Sequence, residues 1–325
     1  MKKNGGKVLG KGSYGCVFLG SPIENEQKDK LVKIMLDPDD FYKEIKNMGI
    51  IRLLNKENNY SIYNESFLIT NISKELSKLK KKDLDHIKQC ELDTNIIKKK
   101  KRIYQIIYSG DNKGEDLHKI VKRRGFSINK IFSLSYTLYL TLREYSIAGI
   151  IHKDIKINNI IKLDNKLYFI DFGLMTTIDN LFSKYFNYNH KYSIFYAPEF
   201  TLFYVLNKKL NLQDFINLVL DNFDKKFYNI YPEKNMINDL TDMYNFYNSK
   251  LQKNNNIYSL FTDEDKKKID LYSLSITLLI SYFYYYTNSS KNNNFINKII
   301  LPSICLNNQK RLSIDKILKL FTPSL

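Results

Sequence analysis

The chain has 325 residues, of which 43% are hydrophobic. That is enough for one large core or two lobes, and too apolar for a disordered protein. The formal net charge of +17 points to acidic partners: phosphate-rich ligands, acidic protein segments or nucleic acid. No aromatic-interleaved stacking platform supports the nucleic-acid reading. The N-terminus shows no apolar secretion signal. The most apolar stretch, Leu271 to Tyr286, is shorter than a bilayer needs and holds Ser273, Ser275, Thr277 and Ser281. A buried core helix is expected there, with no membrane association. Cys16, Cys90 and Cys305 are too few and too scattered for a disulfide framework or a zinc site, so a reducing, cytoplasmic setting is expected. The lysine clusters at Lys80 to Lys82, Lys98 to Arg102 and Lys266 to Lys268 read as solvated helix faces or loops.

From Val8 to Met35 the pattern predicts strand, glycine turn, strand, loop, strand. Phe41 to Leu54 has helical spacing, with Ile45, Met48, Ile51 and Leu54 on one face. The preceding Asp37, Asp39 and Asp40 suit the positive end of that helix. Ser66 to Thr70 reads as a strand, and the polar residues 71–101 as an insertion. Ile103 to Tyr108 is β-like. Ile128 to Ala148 then carries Ile131, Leu134, Leu138, Leu142 and Tyr145 on one stripe, and Gly149 ends that helix. Two short strands, Ile160-Ile161 and Leu167 to Ile170, bracket an Asp164-Asn165 turn. A helix is expected from Asn211, whose partner Asp214 completes a capping box. Further helices are expected over Asp270 to Tyr286 and after Ser313.

Three strings carry chemistry. Gly10-Lys11-Gly12-Ser13-Tyr14-Gly15-Cys16-Val17 is a G-x-G-x-x-G-x-V loop, whose glycines let backbone approach phosphate oxygens. A strand, Val17 to Leu19, follows it, which argues against the helix start of a dinucleotide-binding turn. Lys33 stands in an apolar strand and calls for a counter-charge, which Glu44 on the next helix can supply. His152-Lys153-Asp154-Ile155-Lys156-Ile157-Asn158-Asn159, with Asp171-Phe172-Gly173 downstream, combines a carboxylate, an ammonium, an amide and a second carboxylate. Phosphoryl transfer from a nucleotide needs that set.

On these strings, and on Ala197-Pro198-Glu199, Asp270 and Arg311, the chain resembles eukaryotic-type protein kinases of the Ser/Thr branch. The resemblance runs from Gly10 to Arg311. It implies an α+β, bilobal fold: a small β-rich N-lobe over residues 1–108 with one main helix, and a larger helical C-lobe over 109–325. It implies ATP and Mg2+ as cofactors, and protein substrates, acidic ones by the charge argument. The loop Gly10 to Val17 and Lys33 would bind nucleotide, with Glu44 paired to Lys33. Asp154 would orient the substrate hydroxyl and accept its proton, and Lys156 would neutralise the γ-phosphoryl charge. Asn159 and Asp171 would hold magnesium. His152, Phe172 and Met48 would pack as a spine, Glu199 would pair with Arg311, and Asp270 would accept N–H bonds from the catalytic loop.

Lys156, two residues after Asp154, marks serine and threonine as acceptors. The Gly-Ser-Tyr-Gly-Cys-Val-Phe loop and the Asn, Lys and Ile bias are similar to kinases of large cytoplasmic DNA viruses, with AT-rich protists as the rival source. The setting would then be host cytoplasm or virion.

Some residues depart from the family pattern. Leu31 stands where alanine usually roofs adenine, Lys153 where arginine precedes the catalytic aspartate, and Ile157 where proline is common. Thr176, Thr177 and Ser193 are candidate phosphosites. Residues 201–268 separate Glu199 from Asp270 by more than the family norm and read as a second insertion, a surface element with a partner role. Two other readings stay open: a pseudokinase scaffold that binds partners through the insertions, and a small-molecule phosphotransferase. Cys16, beside the nucleotide loop, is expected to be alkylated more slowly when ATP is bound.

Overall fold

The computed structural model describes residues 7–12, 15–20, 30–54, 64–71, 102–109, 114–123, 128–183, 194–285 and 294–321. The expected insertion at 71–101 therefore lies, apart from Asn71, outside the described residues, as do Ser13, Tyr14 and Ser193. The chain divides into two compact units, Met1–Lys113 and Gly114–Leu325. It is a mixed α+β protein, with a small antiparallel sheet in the first unit and a larger helical part in the second.

The first unit is a five-stranded antiparallel sheet in the order β1-β2-β3-β5-β4. Its strands are β1 (Lys7–Gly12), β2 (Gly15–Leu19), β3 (Leu31–Met35), β4 (Asn64–Asn71) and β5 (Arg102–Ser109). Its buried apolar residues lie on both faces, Phe18, Val32, Ile34 and Ile107 on one and Met35 and Ile106 on the other. Helix α1 (Pro38–Leu54) follows β3. Asp37 caps it, Oδ1 accepting from the N–H groups of Asp39 (2.8 Å) and Asp40 (3.2 Å). The buried face of α1 is Phe41, Glu44, Asn47, Met48 and Ile51. Ile45 and Leu54, expected on that face, are only half-buried. The helix is turned so that Glu44 is inside, where it meets Lys33, and so that Phe41 packs on Tyr104 of β5 with ring centroids 4.9 Å apart.

The second unit begins with β6 (Glu115–Asp116) and a short helix α2 (Leu117–Lys122), capped by Asp116. Helix α3 (Ile128–Ile147) buries the expected stripe of Ile131, Leu134, Leu138, Leu142 and Tyr145. Gly149 follows it at φ +67°, a left-handed conformation that only glycine takes without strain. Strand β7 (Ile150–Ile151) leads into the loop that carries the site. Strands β8 (Ile160–Leu163) and β9 (Lys166–Phe169) form the expected hairpin, joined to β6 in a three-stranded sheet. Strand β10 (Thr176–Thr177) pairs antiparallel with β7.

The rest is helical: α4 (Pro198–Asn207), α5 (Leu212–Leu220), α6 (Glu233–Asn254), α7 (Asp263–Tyr285), a π-helical turn at Ile296–Ile300 and α8 (Ile314–Phe321). The capping box of α5 is formed, Asn211 and Asp214 each accepting the other's N–H at 3.0 Å. Helix α7 starts seven residues before the expected Asp270. Thr262 and Asp265 cap it reciprocally, at 2.9 and 3.2 Å. Ser313 caps α8 by accepting from Lys316 N–H at 3.4 Å, and Phe321 at its end stacks on Phe132 of α3 at 4.4 Å. Among the described residues, no helix is long and apolar enough to cross a membrane.

Residues 201–268 supply core rather than a surface appendage. Met236, Leu240, Met243 and Tyr247 of α6, at helical spacing, are fully buried. A polar knot ties this helix to the C-terminal segment. Asp239 accepts from the Tyr231 hydroxyl, from Cys305 Sγ (3.0 Å) and from Lys310 Nζ (2.8 Å). Burial works against the Asp239 charge, but the bonds from Lys310, Tyr231 and Cys305 outweigh it and hold the carboxyl below its ordinary 3.8. Burial and the neighbouring carboxylate push the Cys305 thiol up to about 11.

A carboxylate depressed in the fold stabilises it above the unfolded value of 3.8, and that contribution is lost as pH falls through the folded value. Urea unfolding measured from about pH 5 to about pH 2 should show a stability slope that Asp239→Asn flattens. An unchanged slope in the variant would remove the assignment.

Candidate functional site

The loop after β7 is held from beneath. Asp270 of α7, buried at 3% exposure, accepts the backbone N–H of His152 (2.5 Å) and of Lys153 (2.9 Å). Burial raises the Asp270 carboxyl above its ordinary range, against the pull of His152 and those two N–H groups. Lys153 sits at φ 69° and Asp171 at φ 65°, left-handed conformations that cost a non-glycine residue roughly 1–3 kcal/mol each. Two such residues, one before Asp154 and one at the metal candidate, mark a segment set by its surroundings rather than by local preference.

Asp154 is 8% exposed and almost fully engaged. Lys156 Nζ donates to Oδ1 at 3.0 Å and to Oδ2 at 2.8 Å. Asn159, in a 3₁₀ turn at Ile157–Asn159, donates from Nδ2 to Asp154 Oδ2 at 2.8 Å and to its carbonyl at 2.9 Å. Three of the expected residues thus converge. With both Nδ2 hydrogens spent, the Asn159 amide has its Oδ1 left as an acceptor. Across the open end of the β8–β9 hairpin, Ile170 N–H donates to the Asn159 carbonyl at 3.0 Å, and Asp171 is the next residue.

An amide oxygen and a carboxylate at one end of a hairpin are the hard oxygen donors that magnesium takes. Among the described residues no cluster of three His, Cys, Asp or Glu side chains could hold a metal alone. Magnesium bound with phosphate needs only one or two carboxylates, so the donor set fits it.

His152 packs its ring against Phe169 and Phe172, at 5.4 and 5.3 Å. Its Nδ1 accepts from Asp154 N–H at 3.4 Å, and its buried Nε2 has no hydrogen-bond partner among the described residues. Further along, Glu199 pairs with Arg311 at 2.5 and 3.0 Å, both side chains fully buried. Arg311 also donates to the carbonyls of Cys305 (2.6 Å) and Leu306 (3.2 Å) and lies over the Tyr272 ring. Burial raises the Glu199 carboxyl, and Arg311 opposes that rise. Thr176 and Thr177 pair with Ile151 and Ile150 in β10.

The first unit places Lys33 on β3 and Glu44 on α1, with Nζ to carboxylate distances of 2.8 and 2.6 Å. Both are buried, and Tyr108 OH adds a 3.5 Å contact to Glu44. Gly10, Lys11 and Gly12 lie on β1 and Gly15, Cys16 and Val17 on β2, with Gly12 paired to Gly15 at the hairpin's end. The glycine at 15 has a packing cause: a Cβ there would meet the Ile34 carbonyl oxygen at 2.5 Å. Cys16 corrects one expectation: it is fully buried and disulfide-bonded, so its thiol is not free for alkylation.

One residue of the site was not expected. The Tyr196 hydroxyl donates to Asp154 Oδ1 at 3.5 Å, and its ring meets Phe200 edge-on at 6.0 Å. Its only sequence signal is an aromatic residue directly before Ala197-Pro198-Glu199. The chain matches no protein-family model and resembles no curated protein sequence.

Proposed function

We propose that the chain is a Ser/Thr protein kinase with a bilobal kinase-like fold, transferring the γ-phosphoryl group of ATP to protein hydroxyls. The observation that carries this reading is the Asp154–Lys156–Asn159 cluster, with all its distances between 2.8 and 3.0 Å, on a loop fixed by Asp270. Magnesium, when bound, neutralises phosphate charge. Asn159 Oδ1 and the Asp171 carboxylate are the groups that would hold it.

The chain's own residues do the positioning. Asp154, its Oδ2 tied by the two shortest bonds, from Asn159 and Lys156, would present the less tightly held Oδ1 to an acceptor hydroxyl and take its proton. Lys156, about 40% exposed, is able to leave Asp154 and follow charge on the moving phosphoryl group. Lys33, fixed by Glu44, supplies a cation for the nucleotide phosphates. The +17 charge favours acidic protein targets.

The test is incubation of the purified chain with labelled ATP and magnesium, with an acidic and a basic protein as acceptors. Label on serine or threonine that Asp171→Ala abolishes is the expected result. No transfer to any acceptor, itself included, would sink the reading. A rise in thermal midpoint with Mg-ATP but no transfer would instead favour a scaffold.

A further inference from the structure

The Asp154 carboxylate is unevenly used. Oδ2 accepts two bonds of 2.8 Å, from Lys156 and Asn159. Oδ1 accepts one at 3.0 Å from Lys156 and a long one, 3.5 Å, from the Tyr196 hydroxyl. A small cavity of about 70 Å3 lies beside this oxygen's residue, lined by Lys153, Asp154, Ile155, Lys156, Phe195 and Tyr196. Among the described residues that line it, Tyr196 alone carries a hydroxyl, and that hydroxyl donates to the general-base candidate.

The Tyr196 ring is placed, not loose. Tyr272 OH donates to the Ile194 carbonyl at 3.3 Å and pins the chain two residues upstream. Phe200, one turn into α4, meets the ring edge-on at 6.0 Å. The phenol is half-buried, and its bond to Oδ1 is at the limit of hydrogen-bond length. Such a bond is weak enough to be exchanged for a shorter one from an incoming aliphatic hydroxyl.

We propose that Tyr196 is an internal occupant of the acceptor seat on Asp154, which a substrate serine or threonine hydroxyl must displace. The proposal rests on the kinase reading above. Tyr196 is then a specificity-determining residue: it sets the threshold an acceptor must exceed, and disfavours acceptors that cannot make a short bond to Oδ1.

The test compares wild type, Tyr196→Phe, Tyr196→Leu and Asp154→Asn in the full chain. Tyr196→Phe keeps the ring and its contact with Phe200 and removes only the hydroxyl. Two quantities are read: kcat/KM for a serine peptide with Mg-ATP, and affinity for the same peptide by fluorescence anisotropy without nucleotide. Both should rise about three- to tenfold in Tyr196→Phe, the range of one weak hydrogen bond. Tyr196→Leu should move the same way, and serves should the phenylalanine variant fold poorly. Transfer that is unchanged or slower in both variants, with unchanged peptide affinity, overturns the gate while leaving the kinase reading intact. No transfer in any variant, wild type included, ends the kinase reading and this inference with it.

Discussion

Asp154→Asn should lower phosphoryl transfer by about 10²- to 10⁴-fold, the usual loss when a general base is removed, with little change in thermal midpoint. The reasoning is local. Asparagine keeps one oxygen and the size of the side chain, so Lys156 and Asn159 retain a partner for most of their bonds. What disappears is the negative charge that, on the proposed function, accepts the hydroxyl proton. Phosphate release or peptide labelling measures the rate, and circular dichroism measures the fold. A variant as active as wild type would mean that Asp154 merely anchors the loop. A variant that fails to fold would shift the same conclusion toward structure, and Lys156→Met then becomes the cleaner probe.

Arg311→Met should cost about 3–5 kcal/mol of stability, the loss seen when one member of a buried ion pair is removed. Glu199 would be left fully buried with its charge unmatched. The carbonyls of Cys305 and Leu306 would lose their donor as well. Arginine is specific here, because its planar fork reaches Glu199 through both Nη atoms while Nε serves a carbonyl. Arg311→Lys should therefore recover only part of the loss. Replacing both members, Glu199→Met with Arg311→Met, should cost less than Arg311→Met alone. Urea unfolding of wild type, these three variants and Glu199→Met alone decides it, and additive losses from the two single methionine variants would show that the two side chains do not act as a pair.

Local signals carried much of the fold. The stripe on α3, the Asn211–Asp214 box and the Ser313 cap each depend on residues a few positions apart, and each is formed. The face of α1 was misjudged because periodicity ranks Ile45 and Leu54 above Glu44, whereas the sheet's lysine decides which side turns inward. The start of α7 was missed although Thr262 and Asp265 have capping spacing, since the apolar run further on drew the boundary. Helix α6 carries a buried ladder from Met236 to Tyr247 at helical intervals, and its polar composition hid it.

The site divides the same way. Lys33, Glu44, Asp154, Lys156 and Asn159 were legible because their residue types and spacing fit one chemistry, and the structure joins them in two groups. Tyr196 and the bonds of Asp239 to Cys305 and Lys310 were not legible, because those partners are 42 to 71 positions away in the chain. No local rule joins groups that far apart; only packing of the finished core does.

The crowding at Gly15 changes how one common experiment must be interpreted. An alanine there would push directly on the Ile34 carbonyl oxygen, an atom fixed in the ladder between β3 and its neighbours. Weakened ATP affinity in such a mutant would report a distorted β-ladder, and only indirectly the triphosphate.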